Sequence, residues 1–151
     1  MTRIVFLFVC ALAPTVAFGQ QPAPNRLYRK ECKNGVCTMQ YVGSEWEYKV
    51  VDLTNKERTS RGLRPLKVAK KLMDDARAWS RTQAQSRRMF HSKMGYGENV
   101  IWNYKSPEAQ MQAWMLSPGH RANILNPKYT EIGVGVVMTG DGQPYGTQVF
   151  K

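Results

Sequence analysis

Apolar residues recur at helical spacing from Trp46 through Val50 to Leu53, and Gly62 follows where such a helix should stop. Ser44-Glu45-Trp46-Glu47 reads as a capping box at its start. A second helix is expected from about Val68 to Arg87, with Val68, Leu72, Ala76 and Trp79 on one stripe and Trp79 assigned to the core. Gly95 and Gly97 interrupt the chain before Asn99-Val100-Ile101-Trp102, a β-branched and aromatic run suited to a strand. Ser106-Pro107-Glu108 opens a further helix that Trp114 should pack, and Ser117-Pro118 opens a short one ending near Leu125, with Ser117 as its cap. The chain closes with Ile132–Met138 and Tyr145–Phe150 around a turn, which reads as two paired strands. This order predicts an α+β fold in which helices cover a small, largely antiparallel sheet.

The N-terminal pattern differs in kind. Arg3, the apolar run Ile4–Ala11 and the small-x-small exit Ala17-Phe18-Gly19 read as a secretory signal over residues 1–19. Pro14 interrupts the run, which falls short of the roughly 20 residues that span a bilayer. A secreted or periplasmic protein without a retained membrane segment is therefore expected. Residues 20–43 read as an appendage, irregular apart from a hairpin in which Cys32 and Cys37 bracket Asn34-Gly35. An oxidising compartment favours a disulfide across that hairpin. Residues 44–151 are expected to form one domain, and a monomer.

The formal charge is +11, or +10 once Arg3 is removed with the leader. Such a surface attracts nucleic acid, anionic lipid or acidic polymers. The cations Arg26, Lys67, Lys70, Lys71, Arg77, Arg87 and Arg88 are dispersed, without the basic and aromatic array that reads bases. Specific nucleic-acid recognition is not expected.

The candidate chemistry lies in two histidines, the only ones present, and one carboxylate: Phe90-His91-Ser92, Gly97-Glu98-Asn99, and Ser117-Pro118-Gly119-His120-Arg121-Ala122-Asn123. Two imidazoles and a carboxylate are enough to pass a proton or to begin a divalent-metal site. Neither His-Glu-x-x-His nor a cysteine-rich zinc spacing occurs, so the fold must assemble any site from separate segments. His120 falls in the first turn of its helix, where the positive helix end disfavours an imidazolium.

These segments resemble the CAP or SCP family of cysteine-rich secretory proteins, antigen 5 allergens and pathogenesis-related class 1 proteins, over roughly Tyr48 to Phe150. The likeness is to the compact bacterial branch, through Leu53-Thr54-Asn55-Lys56-Glu57-Arg58, Gly97-Glu98-Asn99-Val100, Ser117–Leu125, Glu131-Ile132-Gly133-Val134-Gly135 and Thr147-Gln148-Val149-Phe150. The resemblance implies an α-β-α sandwich whose cleft gathers His91, Glu98 and His120, a site that holds zinc or another divalent metal in some members. Eukaryotic members carry a second glutamate three residues beyond the helix tryptophan. Counting from Trp114 reaches Ser117, while Glu108 lies earlier and is not a motif match.

Family fold does not select activity. The leading expectation is a binding module for an extracellular ligand, either a lipid or an anionic envelope polymer. The alternative is a metal-dependent hydrolase or protease in which His91 and His120 hold the metal and Glu98 activates water. Neither Ser92 nor Ser117 sits in a nucleophile frame.

Overall fold

The computed structural model describes residues 26–33 and 36–151, the side chains from residue 45 onward. The expected leader, the Asn34-Gly35 turn and the cysteine side chains lie outside the described residues. Two strands, β1 (Arg26–Lys33) and β2 (Val36–Ser44), pair antiparallel with Cys32 opposite Cys37. The hairpin thus reaches well beyond the cysteines into a stretch read as irregular, where Val36, Thr38, Tyr41 and Val42 favour extended backbone.

Helix α1 spans Glu45–Thr59 and buries Val50, Val51, Thr54 and Arg58. Glu47, expected only to cap this helix, is buried: its carboxylate accepts from Arg77 and from the Val136 backbone N–H at 3.1 Å. Ser44 is itself the last residue of β2. The chain then turns at Gly62, whose φ of +75° suits a residue without a Cβ.

The second helix starts later than its periodicity predicts. Lys67 and Val68 form a short strand, β3, with Val68 exposed, and α2 runs Lys70–Ser86. Pro65 just upstream favours extended backbone before it, and β3 finds a parallel partner far along the chain, which local periodicity cannot reveal. The buried stripe of α2 is Leu72, Met73, Ala76, Ser80, Gln83 and Ala84. Trp79 is only half-buried and meets Phe90 edge-on, with ring centroids 5.0 Å apart.

Strand β4 (Gly97–Trp102), helix α3 (Pro107–Leu116), helix α4 (Pro118–Ile124) and strands β5 (Glu131–Met138) and β6 (Pro144–Phe150) complete the fold. Ser106 caps α3 by accepting from the Ala109 N–H at 3.1 Å. Ser117 stands at the cap of α4, yet its side chain makes no capping hydrogen bond there. The four-stranded sheet has the order β3-β5-β6-β4, antiparallel except where β3 meets β5.

Alternation along the strands separates two faces. Ile132, Val134 and Phe150 join Val50, Val51, Met111 and Trp114 in the core beneath α1 and α3. Val149 joins Leu72 and Ala76 of α2 on the other face. The α-β-α sandwich follows. Gly133 and Gly135 allow α2 to lie directly on β5, since a Cβ at either would come within 2.5 Å of the helix backbone.

This close approach makes a prediction. Gly135→Ala should destabilise the protein by about 1–3 kcal/mol through overpacking, because rigid backbone would have to yield. Gly140→Ala, with nothing within 4 Å of the added atom, should change stability little. Urea unfolding of the two variants checks both; equal midpoints would remove glycine contact as the reason α2 sits where it does.

Candidate functional site

His91 follows α2 in a loop that two α2 side chains hold from both sides. The Phe90 backbone N–H donates to Gln83 Oε1 at 3.3 Å, and the Phe90 carbonyl accepts from Trp79 Nε1 at 3.0 Å. Gln83 is in turn fixed by donating to Thr147 Oγ1 at 3.0 Å, which also accepts from Ser80. Pinning both backbone groups of Phe90 limits where the next side chain can go.

Glu98 sits second in β4, on the sheet face that carries Val149 and α2. Its side chain is only 6% exposed, while the neighbouring His91 is 62% exposed. Glu98 Oε1 lies 2.8 Å from His91 Nδ1 and accepts from the Ser92 backbone N–H at 2.9 Å. Its Oε2 is buried without a hydrogen-bond partner among the described residues. The carboxylate therefore orients the imidazole with one oxygen and holds the other ready for a donor.

Asn99 points to the opposite face and anchors the second histidine. Its Nδ2 donates to the His120 carbonyl at 3.1 Å and to Gln148 Oε1 at 3.0 Å, while its Oδ1 accepts from Asn123 Nδ2 at 2.9 Å. Asn123 also donates to the Glu98 carbonyl at 3.1 Å. Gln148 Nε2 continues to Thr54 Oγ1 at 2.7 Å, so the network reaches α1. The Gly-Glu-Asn segment thus sends Glu98 to the site and Asn99 to the helix that bears His120. Asn99, Asn123 and Gln148 stand inside the family-like motifs, but sequence alone singled out only the groups that titrate.

His120 is held below the ordinary imidazole range, first by burial and then by the charge of His91. The neutral form is the one expected from a helix start; the causes found here are desolvation and a second histidine. Ser92 Oγ accepts from the Met94 N–H at 3.3 Å. Glu108 stays outside the site, exposed and 3.7 Å from Lys49.

A resident metal does not fit well. Glu98 already serves His91, and among the described residues no three His, Cys, Asp or Glu side chains are grouped to hold an ion. Two imidazole nitrogens fall short of the three protein ligands usual in catalytic zinc sites.

Titration checks the electrostatics. Because the folded pKa of His120 lies below the unfolded value near 6.5, the unfolded chain binds more protons between the two. The His120 contribution to stability is therefore full above about pH 6.5 and is lost as pH falls through the depressed folded value. NMR of the imidazole protons should show His120 titrating below about 6.5, and His91→Ala should raise it only part of the way, leaving the effect of burial. An unshifted His120 would contradict the effects of burial and of His91 described above.

Comparison with known proteins places this arrangement. Residues 51–150 match the family model described as the cysteine-rich secretory protein family, CAP. The uncharacterized protein YkwD of Bacillus subtilis is 40% identical over 114 residues, covering 64% of this chain and 44% of that protein. The chain thus spans less than half the length of that relative. An extracellular SCP-domain protein from Bacillus anthracis has the same fold at a TM-score of 0.61 and 23% identity, covering 74% of this chain and 42% of that one. An outer surface protein from Borrelia burgdorferi matches at a TM-score of 0.61 and 17% identity, covering 67% of this chain and 87% of that one. With its family model matched over residues 51–150 and a bacterial relative at 40% identity, the chain belongs to the CAP family, in its bacterial-type branch.

Proposed function

We propose that this is an exported CAP protein whose His91–Glu98–His120 cleft binds an extracellular amphiphile of the lipid class, with a hydrogen-bond donor on its polar head. The observation that carries the reading is Glu98 Oε2, a buried acceptor without a partner beside an exposed imidazole. A buried acceptor left unmade costs about 1–3 kcal/mol, so a ligand hydroxyl or ammonium that reaches it recovers that energy.

Exposed apolar side chains adjoin both histidines along the chain. Met89 and Phe90, immediately before His91, are exposed, and Leu116, at the end of α3 just before the His120 helix, is 75% exposed. Large apolar side chains facing water beside a polar pole suit a ligand with a chain attached to its head. Export rests on the pattern of residues 1–19 and on the secretory character of the family. No helix among the described residues is long and apolar enough to cross a membrane.

The metal-hydrolase reading has less behind it. Among the described residues the donor set stops short of three ligands, and neither serine beside the histidines is engaged with a base. No hydrolytic step is derived from this geometry.

Binding of a monoacylglycerol, followed by displacement of a fluorescent acyl probe, tests the proposal. The wild-type chain should bind, while His91→Ala/His120→Ala and Glu98→Leu should each weaken binding by about tenfold, the effect of losing roughly 1.4 kcal/mol of head-group contact. Zinc should leave wild-type affinity unchanged. No displacement by the wild type, or wild-type affinity in both variants, would overturn the assignment.

A further inference from the structure

A second concavity, of about 570 Å3, opens between the α1–β3 connection and the segment from α4 to β5. Arg64, Pro65 and Lys67 line one side; Tyr129, Thr130 and Glu131 line the other. It includes neither histidine nor Glu98. Tyr129 forms the partition, stacked on Phe150 and with its phenol set so tightly over Gly97 that a Cβ there would clash.

Its two walls are tied together by a buried cation. Arg58, 1% exposed, donates to the carbonyls of Arg64 at 3.0 Å, Ile124 at 2.8 Å, Asn126 at 2.9 Å and Tyr129 at 3.3 Å. Arg64 and Tyr129 belong to opposite walls of the cavity, so the guanidinium holds the opening at a fixed width. All four acceptors are neutral, and among the described residues Arg58 has no carboxylate partner. Burial accordingly lowers its pKa.

The lining adds charge of the same sign. Neither the Arg64 nor the Lys67 side chain has an ion-pair or hydrogen-bond partner among the described residues, and Glu131 is the one acid of the described lining. Several other cations do sit in ion pairs: Lys70 with Asp74, Lys71 with Asp75, Arg77 with Glu47, Arg61 with Glu57 and Arg87 with Asp141. With Glu131 opposite Lys67 in the β3–β5 pair, Arg64 and Lys67 leave the lining with one net positive charge, and a concavity concentrates the field of the charges on its wall.

We propose that this cavity is a second binding site, separate from the histidine cleft, that takes a phosphate-bearing anion. A planar guanidinium and a point-like ammonium on one wall suit the oxygens of a phosphate group. The volume leaves room for whatever the phosphate is attached to, within the range of small-molecule sites. The same group could be free or carried on a phospholipid headgroup.

The test titrates the full chain with inorganic phosphate, read by backbone NMR, and in parallel measures sedimentation with phosphatidylglycerol and phosphatidylcholine vesicles. Saturable shifts should appear at Lys67 and Thr130. Arg64→Gln/Lys67→Gln should weaken phosphate binding at least tenfold; Arg81→Gln/Arg88→Gln, which removes the same charge from exposed positions outside the cavity, should stay within about twofold. His91→Ala/His120→Ala should also stay within about twofold, which separates this site from the cleft. Vesicle binding that is specific for phosphatidylglycerol and competed by phosphate assigns the headgroup source; phosphate binding without vesicle binding assigns a free phosphate compound. Equal weakening in both charge-removing variants, shifts centred on His91 and His120, or no response to either probe would overturn the proposal.

Discussion

The Asn99 carboxamide, wholly buried in β4, uses both of its N–H donors and its oxygen to join β4 to α4 and β6. The donors run in one direction, from Asn123 to Asn99, then Gln148, then Thr54, whose hydroxyl ends on the Val50 carbonyl at 2.7 Å. Each group is satisfied by the next, so removing one leaves its neighbours buried without partners, at about 1–3 kcal/mol apiece. This coupling fixes α4 against the edge of the sheet. The outward carbonyls of β4 are covered as well, Glu98 by Asn123 and Val100 by the Trp114 indole at 3.3 Å. An edge strand that would otherwise invite pairing is closed by side chains that also hold His120 in place.

A second set of polar contacts, on the other face of the same sheet, serves His91. Thr147 of β6 fixes Gln83, and Gln83 with Trp79 fixes Phe90. The site thus lies where two independent networks meet across β4, with Glu98 directed to one face and Asn99 to the other. Strand alternation separates Glu98, which faces His91, from Asn99, which anchors α4. Arg58 plays a comparable anchoring role at the β3 and β5 side, where four carbonyls converge on one guanidinium.

Much of this order was legible in the sequence because it is local. Periodicity located α1, β4 and the β5–β6 pair, and the Ser106-Pro107 opening located α3, whose cap forms as expected. The family-like motifs pointed to His91, Glu98 and His120. What stayed hidden depends on partners distant in the chain. Val68 continues the helical stripe on paper, yet it pairs with Ile132 in a parallel strand. Glu47 fits a capping box, yet its carboxylate meets Arg77 and β5 in the interior. Asn99 and Gln148 look like ordinary polar residues in strands, and only their burial together reveals that each answers the other's hydrogen-bonding need. Trp79 reads as core by size, while its indole N–H is used to hold the loop before His91.

The account stands on the claim that the Asn99 network, rather than apolar packing alone, holds the His120 helix against the site. Native-state hydrogen exchange of Asn99→Leu measures this directly. The account predicts that α4 amides lose at least about tenfold of their protection, roughly 1.4 kcal/mol, beyond any global loss shared with α2. Protection in α4 that tracks α2 unchanged, with His120 still under the influence of His91, would contradict it.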